Sequence, residues 1–349
     1  MRKMNGIVAL TLLVTAVACE ESNAGEHEES SRSAGGEATD ATSVDSVRIT
    51  EWQVPWERSR PRDPDVAPDG RVWFVGQAGN YVAALDPRSG EFRRFALADG
   101  VLPHNLIVGE DGAVWYAGNH AAHIGRMDPE DGSVDVIAMP DAAAADPHTL
   151  VFGDDGHIWF TVQQGAFIGR LDPGTEQVEL VRMPRGSRPY GIVADAGGGA
   201  WAVLFGTNRI VRLAPDMSTR DYDLPSADAR PRRLARATDG GIWFVDHARG
   251  ALARLDPASG AVREWPAPGG AGARPYAMTI DDRDRLWFVE TGSEPNRLVG
   301  FDPRSETFFA NEPIPSGGGA VRHMVFHAPT RAIWFGTDAN TIGRAQVPA

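Results

Sequence analysis

The chain has 349 residues, with 34 Lys+Arg against 47 Asp+Glu, a net charge of −13 and one cysteine. That balance supplies no basic face for a nucleic-acid partner, and one cysteine excludes an intramolecular disulfide or a cysteine-built metal site. Past the N-terminus, no apolar run reaches the roughly 18 residues of a membrane-spanning helix.

Arg2 and Lys3 precede a mostly apolar run over 7–18, and Ala16-Val17-Ala18 places small residues directly before Cys19. This reads as an export signal rather than a fold element. It resembles a bacterial lipoprotein lipobox, with Ala16 where leucine is most often found. The resemblance implies that residues 1–18 are removed and Cys19 is lipidated. The protein would then be exported to the cell envelope, periplasmic or outer surface, and would touch the membrane only through that lipid anchor. An ordinary cleaved secretory signal is the alternative. Residues 19–46 are rich in Ser, Gly, Ala and Glu with almost no large apolar side chain; such a segment cannot bury enough surface to fold and reads as a flexible tether.

From residue 47 onward the chain repeats itself. Trp73, Trp115, Trp159, Trp201, Trp243, Trp287 and Trp334 are separated by 42, 44, 42, 42, 44 and 47 residues. A period in the forties, with short strands and turn signals, predicts β-propeller blades. The expected fold is all-β: seven four-stranded antiparallel blades in a single domain over 47–349. In the third repeat the strands are expected at 149–152, 157–162, 167–172 and 177–183. Asp154-Asp155-Gly156 and Asp172-Pro173-Gly174 supply turns, Asp bonding its own backbone and Gly reaching positive φ. The acidic Asp-Gly turns lack the ligand spacing of a calcium loop. The tryptophans, at equivalent positions, are core. The last repeat stops after Thr341-Ile342-Gly343-Arg344 without an outer strand, and Val47-Arg48-Ile49-Thr50-Glu51-Trp52 matches the missing one. The N-terminal strand is therefore expected to complete the seventh blade and seal the ring.

Symmetry builds such a fold, so chemistry is sought where the repeats differ. Eleven residues before each blade tryptophan stand His104, His148, Tyr190, Arg232, Tyr276 and His323, with Asp65 as the counterpart in blade one. These residues offer bases, donors and an anion partner around one central mouth. The three histidines come from separate blades and lack the spacing of a tight zinc site.

Pro-His-x-Ile, Asp-Gly-x-Ile/Val-Trp-Phe and Ile-Gly-Arg resemble the repeats of the streptogramin B lyase (virginiamycin B lyase) family, over roughly residues 47–349. The resemblance implies a seven-bladed propeller that opens cyclic depsipeptides by elimination across the ester, assisted by Mg²⁺. In that family the penultimate blade reads Ala-Arg-Pro-His-Ala-Ile, its His contacting substrate. The last reads Glu-Pro-His-Gly-Ile, its Glu holding metal and its His acting as base. Here Tyr276 stands for the substrate His, and the count from Trp334 puts His323 at the base position. Val321 replaces the Glu, leaving Asp338 and Glu290 as the conjectured carboxylates for Mg²⁺. Arg232 and Arg322 are suited to an enolate oxyanion.

Two readings stay open. One is an envelope-anchored, lyase-like enzyme with His323 as base and Tyr276, Arg232, His104, His148, Tyr190 and Arg322 framing the substrate. The other is a non-catalytic propeller binding a small-molecule or cyclic peptide ligand, or a partner, at the same mouth. A six-bladed lactonase is disfavoured by seven repeats. A closed propeller is expected to stand alone as a monomer.

Overall fold

A computed structural model describes residues 46–348; the expected export signal, Cys19 and all but the last residue of the expected tether lie outside the described residues. Seven four-stranded antiparallel sheets follow one another. Blades one to six span 61–96, 106–138, 147–182, 189–223, 231–266 and 275–313. The seventh combines 321–346 with the N-terminal strand Arg48–Gln53. In blade three the strands are Pro147–Phe152, Ile158–Val162, Phe167–Leu171 and Val178–Arg182, within two residues of expectation.

The ring is sealed as expected. Arg48–Gln53 pairs antiparallel with Thr341–Gln346, Arg48 opposite Gln346 and Gln53 opposite Thr341. Trp52 stacks on Trp334 at 5.5 Å between centroids. Asn340 latches the junction: its Oδ1 accepts from Ser59 Oγ at 2.8 Å, and its Nδ2 donates to the Val54 and Trp56 carbonyls at 3.0 and 2.9 Å. Glu51 accepts from Ser316 N at 2.7 Å, Ser316 Oγ at 2.6 Å and Thr341 Oγ1 at 2.6 Å. The strand edge that would template aggregation is thus occupied by the chain itself.

All seven repeat tryptophans are at most 3% exposed, which makes them core rather than a substrate platform. The apolar clusters join neighbouring blades; Trp115 and Ile137 of blade two pack with Ile158, Phe160 and Phe167 of blade three. Ile-Gly-Arg recurs for a packing reason. Gly169 pairs with Phe160 across the strands, and a Cβ at Gly169 would fall 2.2 Å from the Phe160 ring. The following Arg170 pairs with Trp159 and lays its guanidinium 5.5 Å from the indole centroid, a cation–π contact. Asp-Gly turns bond their own backbone, as where Asp69 Oδ1 accepts from Arg71 N at 2.9 Å with Gly70 at φ +86°.

Candidate functional site

The innermost strands of blades three to seven begin with the same short register: a first residue paired near the end of the second strand, two further positions across a bulge, then regular pairing. In blade three Pro147 pairs with Val162, Leu150 with Phe160 and Val151 with Trp159. His148 and Thr149 therefore occupy the bulge. The first bulge position faces the mouth, and the second points into the channel below it.

This register corrects two expectations. In blade one Pro61 pairs with Gly76, Arg62 with Val75 and Asp65 with Trp73, so the mouth position belongs to Arg62, eleven residues before Trp73, and not to Asp65. Asp65 lies on the far side of the channel, where its carboxylate accepts from Val66 N at 2.8 Å and Val108 N at 2.9 Å. Burial pushes its pKa up to about 6. In blade seven Val321 pairs with Thr337, Met324 with Phe335 and Val325 with Trp334. The turn Ala328–Thr330 makes this hairpin one residue longer than that of blade three. Counting eleven back from Trp334 therefore stops one residue short, and Pro-His-x-Ile maps onto Val321-Arg322-His323-Met324. Arg322 is the mouth residue. His323 takes the position of Thr149.

The structure thus brings Arg62, His104, His148, Tyr190, Arg232, Tyr276 and Arg322 together around one cavity of about 610 Å³. His323 lines a second cavity, of about 460 Å³, with Asp65, Arg233 and Met324. Between them lies a buried polar plug made from second-position side chains. Asp63, wholly buried, meets Arg62 Nε at 3.0 Å, Asn105 Nδ2 at 3.2 Å and Arg233 Nη2 at 3.5 Å. Arg233 also donates to Thr149 Oγ1 at 3.2 Å and to the Arg322 carbonyl at 3.1 Å. Burial opposes ionisation of Asp63, yet Arg62, His323 and Arg233 hold its carboxyl well below the usual range.

The mouth has an aromatic side and a cationic side. His104 and His148 lie 3.5 Å apart between ring centroids, and His148 and Tyr190 4.3 Å apart. The Tyr190 and Tyr276 hydroxyls bond to each other. The Arg232 guanidinium sits 4.0 Å from the Tyr276 centroid and 4.2 Å from that of Phe205. His104 Nδ1 donates to the His148 carbonyl at 3.0 Å, which leaves Nε2 with the lone pair when the ring is neutral. Burial, reinforced by Arg62 and Arg233, keeps both His104 and His148 well below the ordinary histidine pKa. Burial and Arg233 bring His323 down to about 4. For Tyr190, burial pushes upward, but Arg233, Arg232 and Arg62 prevail and hold the phenol below its ordinary value. Tyr276 moves up, through burial and Tyr190.

These histidines give stability a pH dependence of definite sign. His104, His148 and His323 bind protons less readily folded than unfolded, where the pKa is about 6.5. Below that value the unfolded chain takes up the extra protons, so stability present at pH 7 is lost as pH falls from about 6.5 toward 4. Asp65, Asp146 and Asp246, raised by burial, work in the opposite direction, but burial lowers His123, His247 and His327 as well, which leaves the histidines in the majority. Urea midpoints are expected to fall between pH 7.5 and 5; a midpoint constant across that interval would contradict neutral, buried histidines.

The whole-chain comparison decides kinship. A model of the virginiamycin B lyase family matches residues 47–345. The chain belongs to the virginiamycin B lyase family. A virginiamycin B lyase of Nocardia farcinica is 38% identical over 92 residues, which is 26% of this chain and 32% of that protein. The chain therefore aligns with about a third of that relative's length. A streptogramin B lyase structure superposes with TM-score 0.77 at 25% identity, covering 86% of this chain and 97% of that one. The virginiamycin B lyase of Staphylococcus aureus superposes with TM-score 0.78 at 23% identity, covering 86% and 99%, and shares the fold.

Set in the observed register, the virginiamycin B lyase motif Glu-Pro-His of the last blade falls on Ala320-Val321-Arg322. No carboxylate and no histidine stand there. The two conjectured metal ligands are engaged elsewhere. Asp338 is clasped by both terminal nitrogens of Arg322, with Arg60 at 3.8 Å. Glu290 is buried and accepts from Gly269 N at 2.8 Å. No group of three metal-ligating side chains occurs among the described residues. A mouth carrying Arg60, Arg62, Arg232 and Arg322 does not fit Mg²⁺, which needs hard oxygen donors left free by their neighbours.

Sequence reading missed Arg62, although Pro61-Arg62 repeats the Pro231-Arg232 of blade five. It also missed Gln77, Asn119 and Gln163, which line the mouth. Each stands four residues after its blade tryptophan, as does Asp338, so a second count from the same marker would have found them.

Proposed function

We propose that this chain is an exported, lipid-anchored member of the virginiamycin B lyase family that binds a small-molecule or cyclic peptide ligand at the mouth without the family's histidine-driven elimination. The observation that carries this reading is the blade-seven register: Arg322, already paired with Asp338, stands at the mouth. His323 faces the other cavity. An α-proton held over the mouth is set apart from His323, which sits in the second-position layer beside Asp63 and Arg233 and lines the other cavity. The groups that do face a ligand are neutral imidazoles, phenols and guanidiniums, a set suited to orientation and to charge recognition. Kinship makes a cyclic depsipeptide the first ligand to try.

Isothermal titration of a streptogramin B into the protein tests the location. Binding is expected to weaken tenfold or more in Arg232→Gln and to stay unchanged in His323→Ala. The reverse pattern would move the ligand to the far cavity and overturn the reading.

A further inference from the structure

We propose that the mouth is a receptor for an acidic sugar, a saccharide ring bearing a carboxylate. In this reading Arg62 and Arg232 take the carboxylate, while rim amides take the hydroxylated ring. The inference rests on the mouth being the ligand site and names the class of ligand it is built for.

Two guanidinium N–H groups carry the charge part. Arg62 is 5% exposed; its Nε is taken by Asp63 and its Nη1 by Gln77 Oε1 at 3.0 Å, but Nη2 has no acceptor. Arg232 Nε is likewise buried without an acceptor, and its plane is held between Tyr276 and Phe205. A buried charged donor without a partner is costly, and an oxyanion at the mouth would relieve both. The carboxylates nearby are already spoken for. Asp146 accepts from Gln164 N at 2.6 Å and Gly165 N at 3.0 Å, and Asp338 holds Arg322. The mouth is therefore cationic on a chain of net charge −13, a local reversal that draws anions to this spot.

The remaining lining selects the rest of the ligand. Ala145 is the one aliphatic side chain lining the cavity, which suits apolar peptide side chains poorly. Gln77, Asn119, Gln163 and Gln164 supply side-chain amides, each both donor and acceptor, as vicinal hydroxyls require. A volume of about 610 Å³ falls within the range of small-molecule sites.

The test is calorimetric titration of the full-length protein with D-glucuronate, D-glucose, acetate and inorganic phosphate. Glucuronate is expected to bind at millimolar or better, at least tenfold tighter than each of the other three. Its affinity should fall with added salt, drop tenfold or more in Arg232→Gln, recover in part in Arg232→Lys, and hold in His323→Ala. Thermal unfolding of each variant checks that the fold is kept. Glucose binding as tightly as glucuronate would remove the carboxylate from the account. Acetate or phosphate binding as tightly would reduce the mouth to a bare oxyanion site and overturn the sugar assignment. If a streptogramin B binds in an Arg232-dependent way and glucuronate does not, the acidic-sugar proposal falls while the mouth stands. If neither ligand responds to Arg232, both fall.

Discussion

Asp63→Ala is expected to destabilise the protein by about 3–5 kcal/mol, the range for removing one partner of a buried ion pair. Asp63 is wholly buried and is the carboxylate between Arg62 and Arg233, which are themselves 5% and 3% exposed. Without it two nearly buried guanidiniums stay in the channel without their counter-charge. The backbone adds to the loss, because Asp63 sits at φ +49°, a left-handed conformation that Asp and Asn adopt more readily than Ala. Asp63→Asn separates the two effects: it keeps the turn and the shape, so most of its cost reports the missing charge. Chemical denaturation of both variants gives the comparison. A loss under 1 kcal/mol in Asp63→Ala would mean that the plug is hydrated and does not divide the channel.

Trp159→Ala is expected to cost a similar amount, about 3–5 kcal/mol, for a different reason. Trp159 is completely buried, packs with Ile168, Ala200, Ala202 and Leu213 across the join of blades three and four, and lies under the Arg170 guanidinium. Truncation opens a cavity that neighbouring strands, fixed by their ladders, cannot close. The midpoint should shift with little change in denaturant slope. Intact stability would show that the blade joins do not depend on the tryptophans.

The two costs arise from features of very different legibility. The tryptophan period announces itself in the sequence, and with it the strand order, the turns and the N-terminal seal. Each of those follows from neighbours along the chain or from one missing strand. Much of the mouth was readable on the same beat: His104, His148, Tyr190, Arg232 and Tyr276 fall where counting puts them. Counting failed where a turn changed length. The extra residue at Ala328–Thr330 exchanges the places of Arg322 and His323, and neighbouring residues across a bulge face different cavities. The plug was beyond reach for another reason. Arg233 and Thr149 are 84 positions apart, and Asn105 and Asp63 are 42 apart. Packing neighbouring blades brings the second pair together and closing the ring the first, and no local pattern marks a polar residue that is destined for burial.

That one-residue exchange carries the functional account, and incubation with a streptogramin B and Mg²⁺ tests it most directly. Chromatography coupled to mass spectrometry follows the antibiotic over hours, beside a His323→Ala control. The account predicts that the antibiotic is recovered unchanged with both proteins. A new peak of the same mass that appears with the wild type and vanishes with His323→Ala would mean elimination with His323 as base. In that event the histidine reaches the ligand, and the separation of mouth and far cavity is wrong.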